Sequence, residues 1–441
     1  MTSALRPARV TAWLTQWQAI VPLLVAEFVV WLGFGGLLPV LPLYFTEQGV
    51  DLATLGLVIA AWPAARLVSE PIFGWIADRT ARVPLMVIGL AATGIFGALP
   101  LLLTTPLAFV LLRAGAGLSA AIYDPAARGL LTDATPPGKR GEAFGLYGAA
   151  QMGGLLIGPA IGAFGADHFG GIGFVFVFSA VAAFASAALI GLRVREAPGR
   201  THPAPSPDST EFPPDSAALT RRAAADIDAD RAGADDAAAP SSLWNRGLIA
   251  VIVINAGGYY AGGTYEVIWS LFLTGLGASL AFVGLTFAMF GLPVLLFSPI
   301  AGKIVDKRGS FAFIIVGSLL PAICGILYTR LSSPEPAVLL ILVEATGFAF
   351  LNPALYAVVA ANSPPGRSST AQGLFGAAGT LGFIVASLGA GLLAEGDILL
   401  PFYVFSTVLL SSLVIGLLIG GPRLRGRPDP VPKAVAPEEE T

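Results

Sequence analysis

Pro71-Ile72-Phe73-Gly74-Trp75-Ile76-Ala77-Asp78-Arg79 and, 228 residues further on, Pro299-Ile300-Ala301-Gly302-Lys303-Ile304-Val305-Asp306-Lys307 are two copies of one pattern. The shift aligns Pro71 with Pro299, Gly74 with Gly302 and Asp78 with Asp306. Without a gap it also aligns Pro125 with Pro353 and Pro136-Pro137-Gly138 with Pro364-Pro365-Gly366. It then aligns Gly145, Gly148 and Gly154 with Gly373, Gly376 and Gly382. One register held over four successive helices marks an internal duplication.

The composition says where such a duplication lives. Of 441 residues, 55% are hydrophobic and 12% charged, and the mean hydropathy is +0.77. Soluble domains are about 25% charged, and one soluble core could not hide this much apolar side chain. A lone soluble enzyme is excluded. A net charge of -3 leaves no basic footprint for a nucleic-acid partner. One cysteine, Cys324, and two histidines exclude a disulfide framework and a conventional zinc site, so no metal is expected.

A membrane helix needs roughly 20 apolar residues. Twelve stretches qualify, near 19–43, 54–77, 84–104, 107–132, 143–166, 171–193, 247–273, 279–302, 311–330, 336–360, 370–394 and 399–420, numbered here as spans 1 to 12. Backbone polar groups must be satisfied within each segment, which selects helices. Span 1 is too long for a cleaved leader, and Trp13 and Trp17, one turn apart, precede it as interfacial anchors. Lys and Arg gather on one side, at Arg79, Arg82, Lys139, Arg193, Lys303 and Arg367, whereas Glu47, Asp51, Asp167 and Glu395 lie on the other. The positive-inside rule then predicts a multi-pass cell-membrane protein with both termini cytoplasmic.

The expected organisation is a six-helix bundle over 1–193, a disordered cytoplasmic linker over 194–243, a second six-helix bundle over 244–421 and a disordered tail over 422–441. The linker is rich in Pro, Ala, Ser and Asp and cannot bury enough apolar surface to offset chain entropy. Two parallel six-helix repeats imply a pseudo-two-fold axis along the membrane normal. Transporters built this way keep a midplane site between halves that rock about it.

Three motifs carry a family resemblance. Gly74 through Arg82 resembles the G-x-x-x-D-R-x-G-R loop of the major facilitator superfamily, with Ala81 at the late Gly; its second copy ends Asp306-Lys307-Arg308-Gly309. Arg113-Ala114-Gly115-Ala116-Gly117 resembles that superfamily's R-x-x-x-G signature on span 4. Gly145 through Gly154, with Gly158-Pro159-Ala160-Ile161-Gly162-Ala163, resembles the span 5 motif of its twelve-helix drug:proton antiporters. The resemblance implies an all-α integral membrane fold of two pseudo-symmetric six-helix bundles. It implies a gate on the basic side, built from Asp78, Arg79, Arg82, Asp306 and Lys307, in which Asp78 caps a facing helix N-terminus and Arg128 is a candidate partner for Asp78. On span 5 it implies a packing face at Gly154, Gly158, Pro159 and Gly162. It links Arg113 to proton transfer.

Ionisable groups at mid-membrane cost roughly 2.5–3.5 kcal/mol on insertion scales. The candidates are Glu27, Arg66, Glu70, Arg113, Asp124, Glu266 and Glu344. The 228-residue shift sets them against Asn255, Val294, Ser298, Ile341, Asn352, Leu38 and Ala116. The scaffold repeats and the charges do not, so these groups belong to a task. Glu27 has no local cation and is the first choice for a proton-carrying carboxylate. Arg66 and Glu70, one turn apart, can pair with each other. By depth, Arg113 is expected to pair with Glu266 and Glu344 across the interface of the halves. Asp124-Pro125 reads as a kink with a polar support.

Phe34, Tyr123, Asn255, Tyr259, Trp269 and Tyr356 are candidate substrate contacts, since aromatic groups with a few polar ones suit amphipathic or cationic molecules. The Gly257-Gly258 pair before Tyr259 allows local unwinding of span 7. No G-x-x-x-x-G-K-[ST] loop is present, so ATP is not the expected energy source. No nucleophile constellation points to an enzyme. The leading expectation is a proton-driven secondary transporter, embedded in the lipid bilayer, without a cofactor and monomeric, exporting hydrophobic or amphipathic small molecules. A proton-linked importer or a sugar or metabolite exporter stands second. A membrane receptor or a lipid scramblase is the alternative of another class.

Overall fold

The computed structural model describes residues 17–136, 139–169, 171–196, 242–364 and 367–425. Trp13, most of the linker, the tail beyond 425 and the Pro137-Gly138 and Pro365-Gly366 pairs lie outside the described residues, as do the expectations placed on them. Among the described residues there is no strand. Eleven helices are long and apolar enough to cross a membrane, and a bent pair makes the twelfth span.

That bent pair corrects the reading of span 1 as one helix over 19–43. Val21–Leu37 and Leu41–Glu47 meet at 44°. Pro39 lies in the break and lacks an N–H for the ladder, and Pro42 sits in the first turn of the second piece. Spans 2 to 6 are Leu52–Arg79, Arg82–Ala98, Pro106–Asp133, Arg140–His168 and Gly173–Arg193. Spans 7 to 12 are Arg246–Gly275, Leu280–Arg308, Phe311–Tyr328, Pro336–Asn362, Ser368–Gly396 and Leu400–Gly420. Asp51 caps span 2 through the Thr54 N–H at 2.8 Å, and Thr105, Asn245 and Ser279 cap spans 4, 7 and 8.

The duplication is visible in the packing. In the first half, span 1 packs on spans 5 and 6, span 4 on spans 2 and 3, and span 3 on span 6. In the second, span 7 packs on spans 11 and 12, span 10 on spans 8 and 9, and span 9 on span 12. The closest crossings use small residues. A Cβ on Gly154 would lie 2.5 Å from the Phe28 carbonyl oxygen, one on Gly158 2.5 Å from that of Leu32, and one on Gly162 2.6 Å from that of Gly36. These positions, four apart on both helices, form one seam between spans 5 and 1. Gly382 meets the Ala256 carbonyl in the same way between spans 11 and 7. Gly154→Val is therefore expected to force spans 1 and 5 apart and lower the thermal midpoint by several degrees, read as loss of monodisperse protein on heating; overpacking costs about 1–3 kcal/mol.

The halves meet through spans 2 and 11 and through spans 5 and 8. The tightest approaches in these pairs lie toward the face opposite the basic one. There, a Cβ on Gly391 would lie 2.3 Å from the Leu52 carbonyl oxygen, one on Gly56 2.4 Å from that of Ser387, and one on Gly284 2.6 Å from that of Pro159. Toward the basic face, Gly145, Gly148, Gly302, Gly373 and Gly376 have nothing within 4 Å of an added Cβ. The molecule is closed at one face and open at the basic one.

Candidate functional site

Three polar clusters lie inside the spans. The first surrounds Glu27, fully buried on span 1. Its carboxylate accepts from Trp31 Nε1 at 2.9 Å, from Gln151 Nε2 at 2.6 Å and from the Tyr123 hydroxyl. Three donors converge on one acceptor group, which is how an ionised carboxylate is satisfied away from water. Tyr123, expected to touch substrate, is committed to Glu27. The Tyr147 hydroxyl is buried beside this group without hydrogen-bond geometry. Gln151 is the residue missed from the sequence; a polar side chain inside the glycine-rich span 5 was the available signal.

The second cluster is an ion network at the basic end of the first half. Arg66 Nε lies 3.3 Å from Glu70, and the other arm of its guanidinium pairs with Asp124. Arg128 lies 3.3 Å from Glu70 and 3.9 Å from Asp124. Two expectations are corrected. Arg128 does not pair with Asp78, because Asp124, one turn deeper than Arg128, and Glu70, two turns deeper than Asp78, face it. Asp124 is an ion-pair member as well as the residue before Pro125. Asp78 is 71% exposed in its side chain and approaches Arg82 at 3.6 Å. Arg82 itself is buried against Asp133 at 2.8 Å. Arg79 stacks on Trp75, with its guanidinium 4.1 Å from the ring centroid, and Lys307 is exposed. The side chain of Asp306 lies outside the described residues. Among the described residues, the ion-pair partner of Asp78 is Arg82, four residues on in the same segment.

The third cluster joins the halves. Arg113 Nη2 on span 4 lies 3.0 Å from Glu266 Oε1 on span 7. The Arg113 side chain is 8% exposed and that of Glu266 16%. Glu344 on span 10 is not a second partner for Arg113, a correction to the expected pairing. Its two oxygens are taken by the Tyr265 hydroxyl at 2.7 Å and the Tyr328 hydroxyl at 2.8 Å. Those phenols surround it from spans 7 and 9 and leave Arg113 to Glu266.

Beside this bridge is a cavity of about 260 Å³ between the halves. Met152, Leu156 and Pro159 of span 5 form one wall, and Trp269, Phe287 and Phe290 form much of the other. Glu266 and Glu344 supply its acidic groups. Trp269 lines it while its indole N–H donates to Thr286 at 2.9 Å. Asn255 is buried and donates to the Phe375 carbonyl at 2.8 Å, so its amide ties span 7 to span 11. Tyr259 and Tyr356 are partly exposed toward span 11 near the open face, with Tyr356 5.2 Å from Phe375 between ring centroids. Phe34 lines a separate void inside the first half.

Glu27→Gln puts an amide donor where three donors already converge. Leaving a buried donor unsatisfied costs about 1–3 kcal/mol. The expected result is a lowered thermal midpoint, measured on purified protein.

Two six-helix bundles that close one face on a cavity holding acidic and aromatic groups define a multi-pass membrane transporter. A model of the Major Facilitator Superfamily matches residues 23–343 and 259–440, and the chain belongs to that family. Quinolone resistance protein NorA of Staphylococcus aureus is 30% identical over 140 residues, 32% of this chain and 36% of that protein. The chain thus matches about a third of the length of this relative. An uncharacterised MFS-type transporter of Methanocaldococcus jannaschii is 21% identical over 400 residues, 89% of this chain and 95% of the relative. Among solved structures, a bacterial homologue of the human lysosomal transporter Spinster, inward-facing and unoccupied, superposes with a TM-score of 0.71 at 16% identity. The match covers 97% of this chain and all of that one. A D-xylose–proton symporter superposes at 0.66 with 18% identity over 92% of this chain and 98% of its own. These two likenesses show the fold.

Proposed function

We propose that the protein exports lipophilic, predominantly cationic small molecules in exchange for protons. It works by alternating access as a monomer in a cell membrane, with the basic face cytoplasmic. The bridge between Arg113 and Glu266 carries this reading, because it ties one half to the other beside the cavity between them. An empty antiporter must not cross, whereas a loaded one must. Arg113 and Glu266 hold the empty state shut. A proton on Glu266 removes the attraction, and a cationic substrate competes with Arg113 for the same carboxylate. Either event weakens the lock, so each ligand biases the rocking equilibrium by binding the two states differently. Breaking a buried pair by removing one partner costs about 3–5 kcal/mol, enough to shift such an equilibrium by two orders of magnitude or more.

The apolar and aromatic walls, with Glu344 held by phenols and no cation, suit a lipophilic cation better than a sugar. The partial likeness to a quinolone resistance protein supports export. The test is proton release from everted vesicles on adding a fluorescent quinolone or ethidium. Wild type is expected to release protons with saturable dependence on the probe, and Glu266→Gln to release none. Equal release in both would remove Glu266 from the coupling.

A further inference from the structure

Arg113 has more donors than partners. A guanidinium carries five N–H groups, and among the described residues that of Arg113 commits one, from Nη2 to Glu266 at 3.0 Å. Its Nε is buried without a hydrogen-bond partner. The side chain is 8% exposed, so bulk water does not make up the difference. Arg113 also walls a void of about 90 Å³ inside the first half, whereas Glu266 walls the cavity between the halves. The bridge between them is therefore the partition between two spaces.

The void runs along span 4. Arg66 and Asp124, paired with each other, wall it toward the basic face, ~16 Å from Arg113 on the helical rise. Phe34, Trp62 and Phe96 line its middle. Toward the acidic face the polar groups are uncommitted. Spans 4 and 6 both start at that face, at Pro106 and Gly173, so Arg113 and Ser179 lie at nearly one depth. Ser179 lines the void, and its hydroxyl makes no hydrogen bond among the described residues. A helical serine can return its hydroxyl to the carbonyl four residues back, as Ser119 does at 2.8 Å. A guanidinium and a hydroxyl with donors to spare, at the end of a ring-lined space, suit an oxygen acceptor carried on an aromatic group. The opening of the bridge gives this a purpose. A cation that takes Glu266 leaves Arg113 buried with no acceptor, and unpaired buried donors are costly. A ligand that brings its own acceptor removes that cost.

We propose that the void is a subsite of the cavity between the halves, joined to it when the bridge opens, and that Arg113 and Ser179 there hold a carbonyl oxygen of the substrate. The preferred substrates are aryl ketones or amides with an ammonium group a few bonds from the carbonyl. This rests on the reading in which the ammonium takes Glu266. The test is calorimetric titration of purified full-length protein in lipid nanodiscs with two cations. One is a dimethylaminopropyl naphthyl ketone; the other is the dimethylaminobutyl naphthalene that has CH₂ in place of the carbonyl. The ketone is expected to bind about tenfold more tightly, the worth of a hydrogen bond to a charged donor. Ser179→Ala, which removes a donor without adding bulk, should cut that ratio about threefold and leave the carbonyl-free amine unchanged. Arg113→Leu should bring the ratio to about one. Each variant is first required to keep its thermal midpoint; should neither do so, the wild-type ratio decides alone. A wild-type ratio near one, or a ratio that Ser179→Ala leaves whole, would overturn the subsite. The reading beneath it fails separately: both amines binding Glu266→Gln as well as wild type, with the ratio intact, would move the ammonium off Glu266 and keep the carbonyl on Arg113 and Ser179.

Discussion

On the proposed antiport, neutralising Glu266 is expected to cost at least a hundredfold in export, and removing Arg113 with it to restore much of the folded yield. Each single variant leaves one buried charge without its partner 3.0 Å away, a loss of about 3–5 kcal/mol. The double variant Arg113→Leu with Glu266→Leu removes both charges and leaves apolar side chains in an apolar setting. Its thermal midpoint should be no lower than that of either single variant, with a coupling energy within the roughly 1.5–7 kcal/mol measured for close charge pairs. Export should stay low in all three, because the proton acceptor is gone or unlocked. The four-member cycle of melting and transport decides the matter. Strict additivity of the single losses would show that the two residues act independently. Glu344→Gln makes the contrast. It keeps an acceptor for one phenol and leaves the bridge intact, so proton release should persist while affinity for ethidium falls.

The second large effect concerns the closed face. A side chain at Gly391 has no room, since its first carbon would lie 2.3 Å from the Leu52 carbonyl and 3.0 Å from Gly56. Both neighbours are backbone and cannot rotate away. Gly284 against Pro159 repeats the arrangement on the pseudo-symmetric pair. Gly391→Leu therefore penalises the state described here and not the state in which these ends separate. An overpacking cost of about 1–3 kcal/mol corresponds to a shift of about 5- to 150-fold in the equilibrium between the two. Spin labels at the ends of spans 2 and 11 should report longer distances at the acidic face and shorter ones at the basic face, with export slowed in parallel. Unchanged distances would mean that closure does not depend on this crossing.

Much of this architecture is legible in the order of the residues. The duplicated register foretells the paired bundles, because prolines and glycines serve backbone geometry and recur wherever the geometry recurs. Charge depth foretells the bridge of Arg113 with Glu266 for a similar reason: an isolated ion in hydrocarbon must find its opposite at its own level. What depth does not resolve is azimuth. Glu344 lies at the right height but faces Tyr265 and Tyr328, and Arg128 faces Glu70 rather than Asp78. The setting of Glu27 is also hidden, since its donors Tyr123 and Gln151 come from spans 4 and 5, distant in the chain. The break at Leu38–Val40 is legible in Pro39 and Pro42, and the unbroken hydropathy of the stretch conceals it.

On the proposed antiport, the bridge between the halves is opened by either a proton or a substrate, never by neither. Its most direct test is flux of ethidium in proteoliposomes of purified protein under an imposed pH difference. Uphill accumulation is expected to follow the size and sign of the gradient, to collapse with a protonophore and to be absent in Glu266→Gln. Flux that ignores the gradient, with Glu266→Gln as fast as wild type, would contradict it.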